Sequence, residues 1–295
     1  MASSLKRGSR TTVAGHVVLA TLAIGSSTFS GHAGAQSTPE PASRDSSEET
    51  SSSGPASTAA ADAQNPIAHV ISVPLQENLF TRTGPYRKTA DTLLVQPVVP
   101  FKLDENWSVV TRTIIPIVHE PRLSPEQGPV SGIGNVEPQF YLTPSHPGKL
   151  IWGAGGQLWL PTASHSELGY NHWGGGPAVV ALTIDGPWVA GALLNNVWAG
   201  SGPRRVDLLT LNPFVNYNLR AGWYLASTPV ATANWVKKGS DRWTVPVGGG
   251  FGRVFPVAGI HLNARLEVFR NVARPVGAPS TQVQFQLQML FPQHH

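Results

Sequence analysis

From Val73 to Phe291, hydrophobic and polar positions alternate one by one in short segments, with Gly, Pro, Asp and Asn between them. A strand sends successive side chains to opposite faces, so alternation with period two predicts ribbons with one apolar and one polar surface. The last segment shows it most plainly. Val283, Phe285, Leu287, Met289 and Phe291 share one side, and Gln282, Gln284, Gln286 and Gln288 the other. In Val206–Leu219, Leu209, Leu211, Val215, Tyr217 and Leu219 oppose Thr210, Asn212, Asn216 and Asn218. Leu262, Leu266, Val268 and Val272 oppose His261, Asn263, Arg265, Glu267 and Asn271 in the same way, and Val136, Phe140 and Leu142 oppose Asn135, Glu137, Gln139 and Tyr141. The pattern predicts strands over Val73–Arg82, Asp91–Phe101, Trp107–His119, Gly132–Thr143, Leu150–Pro161 and His172–Ile184. It continues with Trp188–Ala199, Val206–Leu219, Trp223–Trp235, Trp243–Phe255, His261–Val272 and Thr281–Phe291.

These segments are longer than the roughly five or six residues of an average soluble strand and match the ~9–11 that cross a bilayer at a tilt. Their connections alternate in kind. Leu103–Asn106, Ile184–Pro187, Leu219–Gly222 and Pro256–Gly259 are tight, whereas Glu120–Ser131, Thr162–Asn171, Gly200–Arg205, Val236–Arg242 and Ala273–Ser280 are longer and polar. Short turns at one end and long loops at the other fit an all-β fold: a transmembrane antiparallel β-barrel of about 12 strands with periplasmic turns and extracellular loops. Trp223 and Trp235 share the lipid-facing parity of one strand. Twelve residues at about 3.3 Å, tilted ~40°, separate them by roughly 30 Å of height, which suits rings at both membrane interfaces. Trp188 and Trp198 form a similar pair, and Phe291 ends the last strand as a further girdle residue. A C-terminal amphipathic strand finishing on an aromatic resembles the insertion signal that the barrel-assembly machinery reads. Closure predicts that Val283–Phe291 pairs with the segment after Val73.

Composition narrows the class further. Charged residues make up 13% of the chain, against roughly a quarter in soluble domains. Outside the N-terminus, no segment approaches the ~20 apolar residues of a spanning helix. Lys6, Arg7 and Arg10, the apolar run Val13–Ile24 and Ala33-Gly34-Ala35 read as a secretory signal peptide, residues 1–35. Its removal takes three of the 21 basic residues and none of the 17 acidic ones, leaving a net charge of +1, so a nucleic-acid partner loses its electrostatic basis. Residues 36–64, rich in Ser, Ala, Thr, Pro and Glu, are expected to be a disordered periplasmic tether, and residues 65–295 the barrel, with a turn near Asn65–Ile71. There is no cysteine, which excludes a lipidated N-terminus, disulfides and thiol chemistry.

Chemistry-bearing residues are sparse. The expected lumen lining comprises Arg112, Glu137, Gln139, Gln157, Asn212, Asn216, Asn234, Arg265, Glu267, Gln284 and Gln286. Arg112, Glu137, Arg265 and Glu267 read equally as a charged constriction that filters solutes or as ion pairs that stiffen a filled barrel. Ser164-His165-Ser166 is the nearest approach to a hydrolytic triad, but adjacent loop residues rarely aim at one point. The ten histidines show no metal spacing, and His294-His295 is a dangling pair. Gly248-Gly249-Gly250-Phe251-Gly252 fails the dinucleotide fingerprint and reads as a site of strand curvature. No catalytic residue, metal or cofactor is expected.

Several runs carry a resemblance: Gly84-Pro85-Tyr86-Arg87-Lys88-Thr89, Gln96-Pro97-Val98-Val99-Pro100-Phe101, Thr111-Arg112-Thr113-Ile114-Ile115-Pro116, Lys149-Leu150-Ile151-Trp152-Gly153, Asn212–Leu219 and Arg242–Gly250. Over roughly Asn65 to Phe291, the chain resembles the bacterial outer-membrane proteins labelled "neuromedin U". These are similar to the barrel family named after the MetA pathway of phenol degradation. The resemblance implies an outer-membrane barrel that moves small, often hydrophobic molecules, with outer-membrane lipid and a small solute as partners. It brings no binding or catalytic residues with it. The expected function is passive passage or uptake of small molecules through a polar lumen. The alternative is a structural or interaction barrel with a blocked lumen and functional loops, and a lipid hydrolase ranks last.

Overall fold

The computed structural model describes residues 55–122, 125–126, 128–202 and 205–291. The signal peptide, most of the tether and His294-His295 lie outside them. These residues form α1 (Pro55–Gln64) and then twelve strands. They are β1 (Ile71–Thr83), β2 (Lys88–Val95 and Val98–Lys102), β3 (Trp107–Glu120), β4 (Val130–Ile133 and Glu137–Pro144), β5 (Leu150–Trp159) and β6 (Gly174–Asp185). There follow β7 (Trp188–Ala199), β8 (Val206–Asn218), β9 (Trp223–Ser227 and Ala231–Asn234), β10 (Trp243–Val257), β11 (Ile260–Ala273) and β12 (Thr281–Phe291). Each strand pairs antiparallel with the next, and β12 closes on β1 from Phe291 opposite Ile71 to Thr281 opposite Thr81. The result is a closed transmembrane β-barrel of twelve strands, with the short turns at one end and the long loops at the other. All twelve expected strands are present, and β1 starts two residues before its expected position.

Three strands are interrupted, each where the sequence cannot hold a regular ladder. Pro97 and Pro229 lack an N–H and fall in the breaks of β2 and β9. In β4 the pairing with β3 slips by one residue across Gly134–Val136, which forms a bulge in the wall there. A Cβ on Gly250 would lie 1.8 Å from the Leu266 carbonyl oxygen, so only glycine permits this approach of β10 to β11.

The alternation sorts as expected on β11 and β12: Gln282, Gln284, Gln286 and Gln288 are buried inside, and Phe285 and Phe291 are exposed outside. Trp188, Trp198, Trp223 and Trp235 also stand on the outer surface. Trp188 packs on Tyr217 at 4.7 Å, and Trp223 on Phe251 at 6.1 Å, so these outward rings are held by aromatic neighbours on the same face.

The last ten residues of the expected tether depart from expectation. Pro55–Gln64 is an α-helix, with Pro at its first position and five alanines behind it. Ala59 and Ala60 pack against the inward-facing Tyr224, Ala226 and Val254. Past the turn at Pro66, Ile67 is only 2% exposed and sits among inward residues of six strands, including Val98, Val110, Tyr141, Val180, Leu193 and Phe214. The N-terminal segment therefore fills the turn end of the barrel, and the lumen there is apolar rather than polar. Burying the isoleucine contributes about 1.5–3 kcal/mol. Backbone hydrogen bonds within this segment run from Asn65 to Asp62 and from Ala68 to Asn65. Its side-chain anchor to the wall is Gln64 Nε2 donating to Asn218 Oδ1 at 2.8 Å.

Candidate functional site

Above the N-terminal segment lies a cavity of about 360 Å³. Its floor is Ala63, Gln64, Asn65 and Pro66, and its wall draws on strands all round the barrel. Of the expected lumen residues, Arg112, Glu137, Gln139, Gln157, Asn212, Asn216, Arg265, Gln284 and Gln286 line it. Glu267 and Asn234 do not. Glu267 lies behind the surface with 0% exposure. Asn234 keeps inward parity opposite Leu208, but it sits at the loop-end rim, where its side chain accepts the Val236 N–H at 3.1 Å. The sequence reading missed the apolar part of the lining, Trp159, Leu193, Leu208 and Phe214. Trp159 stacks on Tyr170 at 5.7 Å, folding the β5–β6 loop towards the lumen.

Most of the polar wall satisfies itself, although the buried Asn216 Oδ1 lacks a hydrogen-bond partner among the described residues. On β4 and β5, Tyr141 Oη donates to Gln139 Oε1 at 3.2 Å. Gln139 Nε2 donates to Gln157 Oε1 at 3.0 Å, and Gln157 Nε2 to Glu137 Oε2 at 2.8 Å. A longer belt starts at Arg112, which donates to the Gln96 amide oxygen. Gln96 donates to Gln76 at 3.3 Å and Gln76 to Asn78 at 3.0 Å, and Gln282 joins Asn78 from β12 at 3.1 Å. Such rows form because residues directly opposite on neighbouring strands share a face: Asn78 lies opposite Gln284, and Arg112 opposite Gln139. Buried amides left unpaired would each be costly, and this belt removes most of that cost.

Glu267 joins the belt from β11. Its carboxylate takes Arg265 Nε at 3.0 Å, the Thr228 N–H at 2.9 Å and the Thr228 hydroxyl at 2.6 Å. The break in β9 supplies those Thr228 donors. Asn212 staples the other side of the break by donating to the Pro229 carbonyl at 2.8 Å. Arg265 Nη2 goes on to Gln286 Oε1 at 2.9 Å. Arg265 is thus paired with a carboxylate just behind the cavity surface, and Arg112 shares the lining with Glu137.

A second polar latch holds the β5–β6 loop. Asn135, in the β4 bulge, donates to the carbonyls of Leu160 (2.6 Å) and Tyr170 (2.7 Å) and accepts the Tyr170 N–H at 2.5 Å. Ser164 belongs to the same latch. Its hydroxyl oxygen accepts the Ile133 N–H at 3.0 Å and its proton goes to the Ile133 carbonyl at 3.2 Å, so it is occupied structurally. Replacing Asn135 with Ala is expected to leave several buried backbone groups unpaired and to destabilise the docked loop by about 1–3 kcal/mol. Faster hydrogen exchange confined to residues 160–173 is the measurement that checks it.

On the floor, burial raises the Asp62 carboxyl above its ordinary value, and nearby His261 lowers it by a smaller amount. A raised acid pKa in the docked state means that docking is fully supported below the free value of about 3.8 and weakens as pH rises through the docked value. Asp62→Asn is therefore expected to hold the segment more tightly at neutral pH and to remove this part of its pH dependence. Protection of a cysteine placed at Ala63, measured against pH, checks it.

No family model matches the sequence, and no curated protein matches it. Among solved structures, the chain is similar to the COG4313 outer membrane channel from Pseudomonas putida F1. The TM-score is 0.56 at 16% identity, over 75% of this chain and 94% of that one. It is also similar to the NanC porin, with a TM-score of 0.48 at 8% identity over 76% and 100% of the two chains. For the CymD monoaromatic hydrocarbon channel the TM-score is 0.41, at 10% identity over 77% and 89%. At these identities the likeness is one of fold, and the first structure carries it.

Proposed function

We propose that the protein is an outer-membrane channel for passive passage of small molecules, exported by a cleaved signal peptide and inserted by the barrel-assembly machinery. The turns face the periplasm and the loops the exterior. The observation that carries this reading is the 360 Å³ cavity inside a closed barrel, walled by amides and two guanidinium groups whose charge is offset by Glu137 in the lining and Glu267 behind it. The channel fold of the Pseudomonas putida neighbour supports it, as does the resemblance to the MetA-pathway barrels. Solutes pass Arg112, Glu137 and Arg265 without bond making, and the apolar patch of Trp159, Leu193 and Phe214 suits molecules with a hydrophobic or aromatic portion. Balanced charge in the wall gives weak discrimination between small cations and anions. Reconstitution with solute-swelling and planar-bilayer recording tests this reading. Conductance with near-unit ion selectivity is expected, and a silent bilayer together with no swelling overturns it.

One observation favours the blocked-barrel alternative: Ile67 packed at 2% exposure in the turn end. It predicts silence for the intact chain and current once the segment is removed. A hydrolase has no such support, because the Ser164 hydroxyl is engaged by Ile133.

A further inference from the structure

We propose that the rim above β9–β12 is a binding site for the phosphates of the outer-leaflet glycolipid, lipid A. Between Trp235 and Ser280 the chain carries Lys237, Lys238, Arg242, Arg270 and Arg274 at its loop end, against one acidic residue there, Asp241. The two loops that hold most of them are joined, since Asp241 Oδ1 accepts the Val276 N–H at 3.3 Å. The basic groups are also tied to the aromatic girdle. The Arg242 guanidinium lies 5.2 Å from the Trp235 ring centroid, Trp235 packs edge-on to Trp243 at 5.7 Å, and Arg242 Nε donates to the Lys237 carbonyl at 3.3 Å. A guanidinium stacked on a girdle tryptophan is held at headgroup height with its remaining N–H groups free to fork onto an anion.

Arg270 sets the direction of the site. It is exposed on the lipid-facing side of β11, opposite Val247, where a cation deep in the bilayer would be costly. Near the rim, its long stem instead carries the charge up to the lipid headgroups. Below it, towards the turn end, the outer face is apolar and exposed through Val268, Leu266 and Phe251, a wall for acyl chains. Phosphate at the rim and acyl chains beneath it match a phosphorylated glycolipid anchored beside the barrel. The site rests on the membrane orientation proposed above but is independent of whether the lumen conducts, so a silent channel leaves it standing.

The test uses the purified full mature barrel in detergent. Retention of bisphosphorylated lipid A is followed by native mass spectrometry, beside dephosphorylated lipid A, phosphatidylglycerol and inorganic phosphate. Lipid A is expected to stay bound and the other three to bind weakly. Each basic group near an anionic surface contributes a severalfold factor, so K238Q/R242Q/R270Q is expected to lose about tenfold or more in lipid A affinity. R205Q, at a different loop, is expected to bind as the parent does. Retention by the triple variant, or equal binding of the dephosphorylated lipid, overturns the proposal. Equal binding of phosphatidylglycerol or inorganic phosphate also overturns it, since the rim would then be a general anion patch. Arg242→Lys and Arg270→Lys, which keep charge and fold, are expected to recover part of the affinity.

Discussion

Deleting Gln36–Ala68 while keeping the signal peptide is expected to raise single-channel conductance severalfold and to speed the swelling of liposomes in small saccharides. Those residues include the floor of the cavity and the Ile67 side chain that occupies the turn end. Without them, the lumen of a twelve-strand barrel is wide enough to hold a small aqueous path. The wall does not depend on them, because β1 begins at Ile71 and is paired along its length with β12 and β2. Ile67→Asp offers a point-mutant version. Placing a carboxylate among Val110, Val180 and Phe214 forces the segment out or leaves a buried charge, and either raises the conductance. Unchanged current in both variants would mean that the segment leaves an open path around it and that the constriction lies higher, at Arg112 and Glu137.

The largest effect on stability is expected from Glu267→Ala, about 3–5 kcal/mol, because it strands the Arg265 guanidinium without its carboxylate in a buried wall. Thr228 loses the acceptor for its N–H and its hydroxyl in the same step. Glu267→Gln keeps one acceptor and removes the charge, so its cost should be intermediate. The double change Glu267→Ala with Arg265→Met removes the stranded cation and should recover a large part of the loss. Urea unfolding in lipid vesicles, scored by heat-modifiable migration on gels, measures all three. If the double variant is no more stable than Glu267→Ala, the ion pair is not the source of the effect.

The barrel was legible because its signal is local and repeated. Each strand with one lipid face and one polar face announces itself by alternation, as Gln282–Phe291 does, and closure follows from the even count and the alternation of turns with loops. What escaped has equally physical causes. On β6 both faces are apolar: Val180 and Leu182 point inward and Val179 outward, so no alternation marks which side is the lumen. Small alanines bury α1, and a face made of Ala59, Ala60 and Ala63 gives almost no hydrophobic signal in a stretch that reads as low complexity. Glu267 shared the parity of the lining residues, but parity alone does not tell a wall residue that faces the cavity from one covered by its neighbour Arg265. The β4 bulge is a further case. Gly134-Asn135-Val136 reads as an ordinary strand interior until the Asn135 amide is seen holding another loop's carbonyls.

The N-terminal segment has a mechanical property that follows from how it is bonded. It is joined covalently to the wall only at the start of β1, and its backbone hydrogen bonds at Asn65 and Ala68 are to itself. Drawing it out therefore unpairs no strand. The work is done against Ile67, the Gln64–Asn218 contact and a few alanines, and the barrel outside keeps its shape throughout. A pull on the upstream chain acts on these contacts in sequence, the helix before the isoleucine, so the segment peels away rather than breaking free at once. A segment held in this way resists less force than one woven into the sheet, whose removal would also open the barrel.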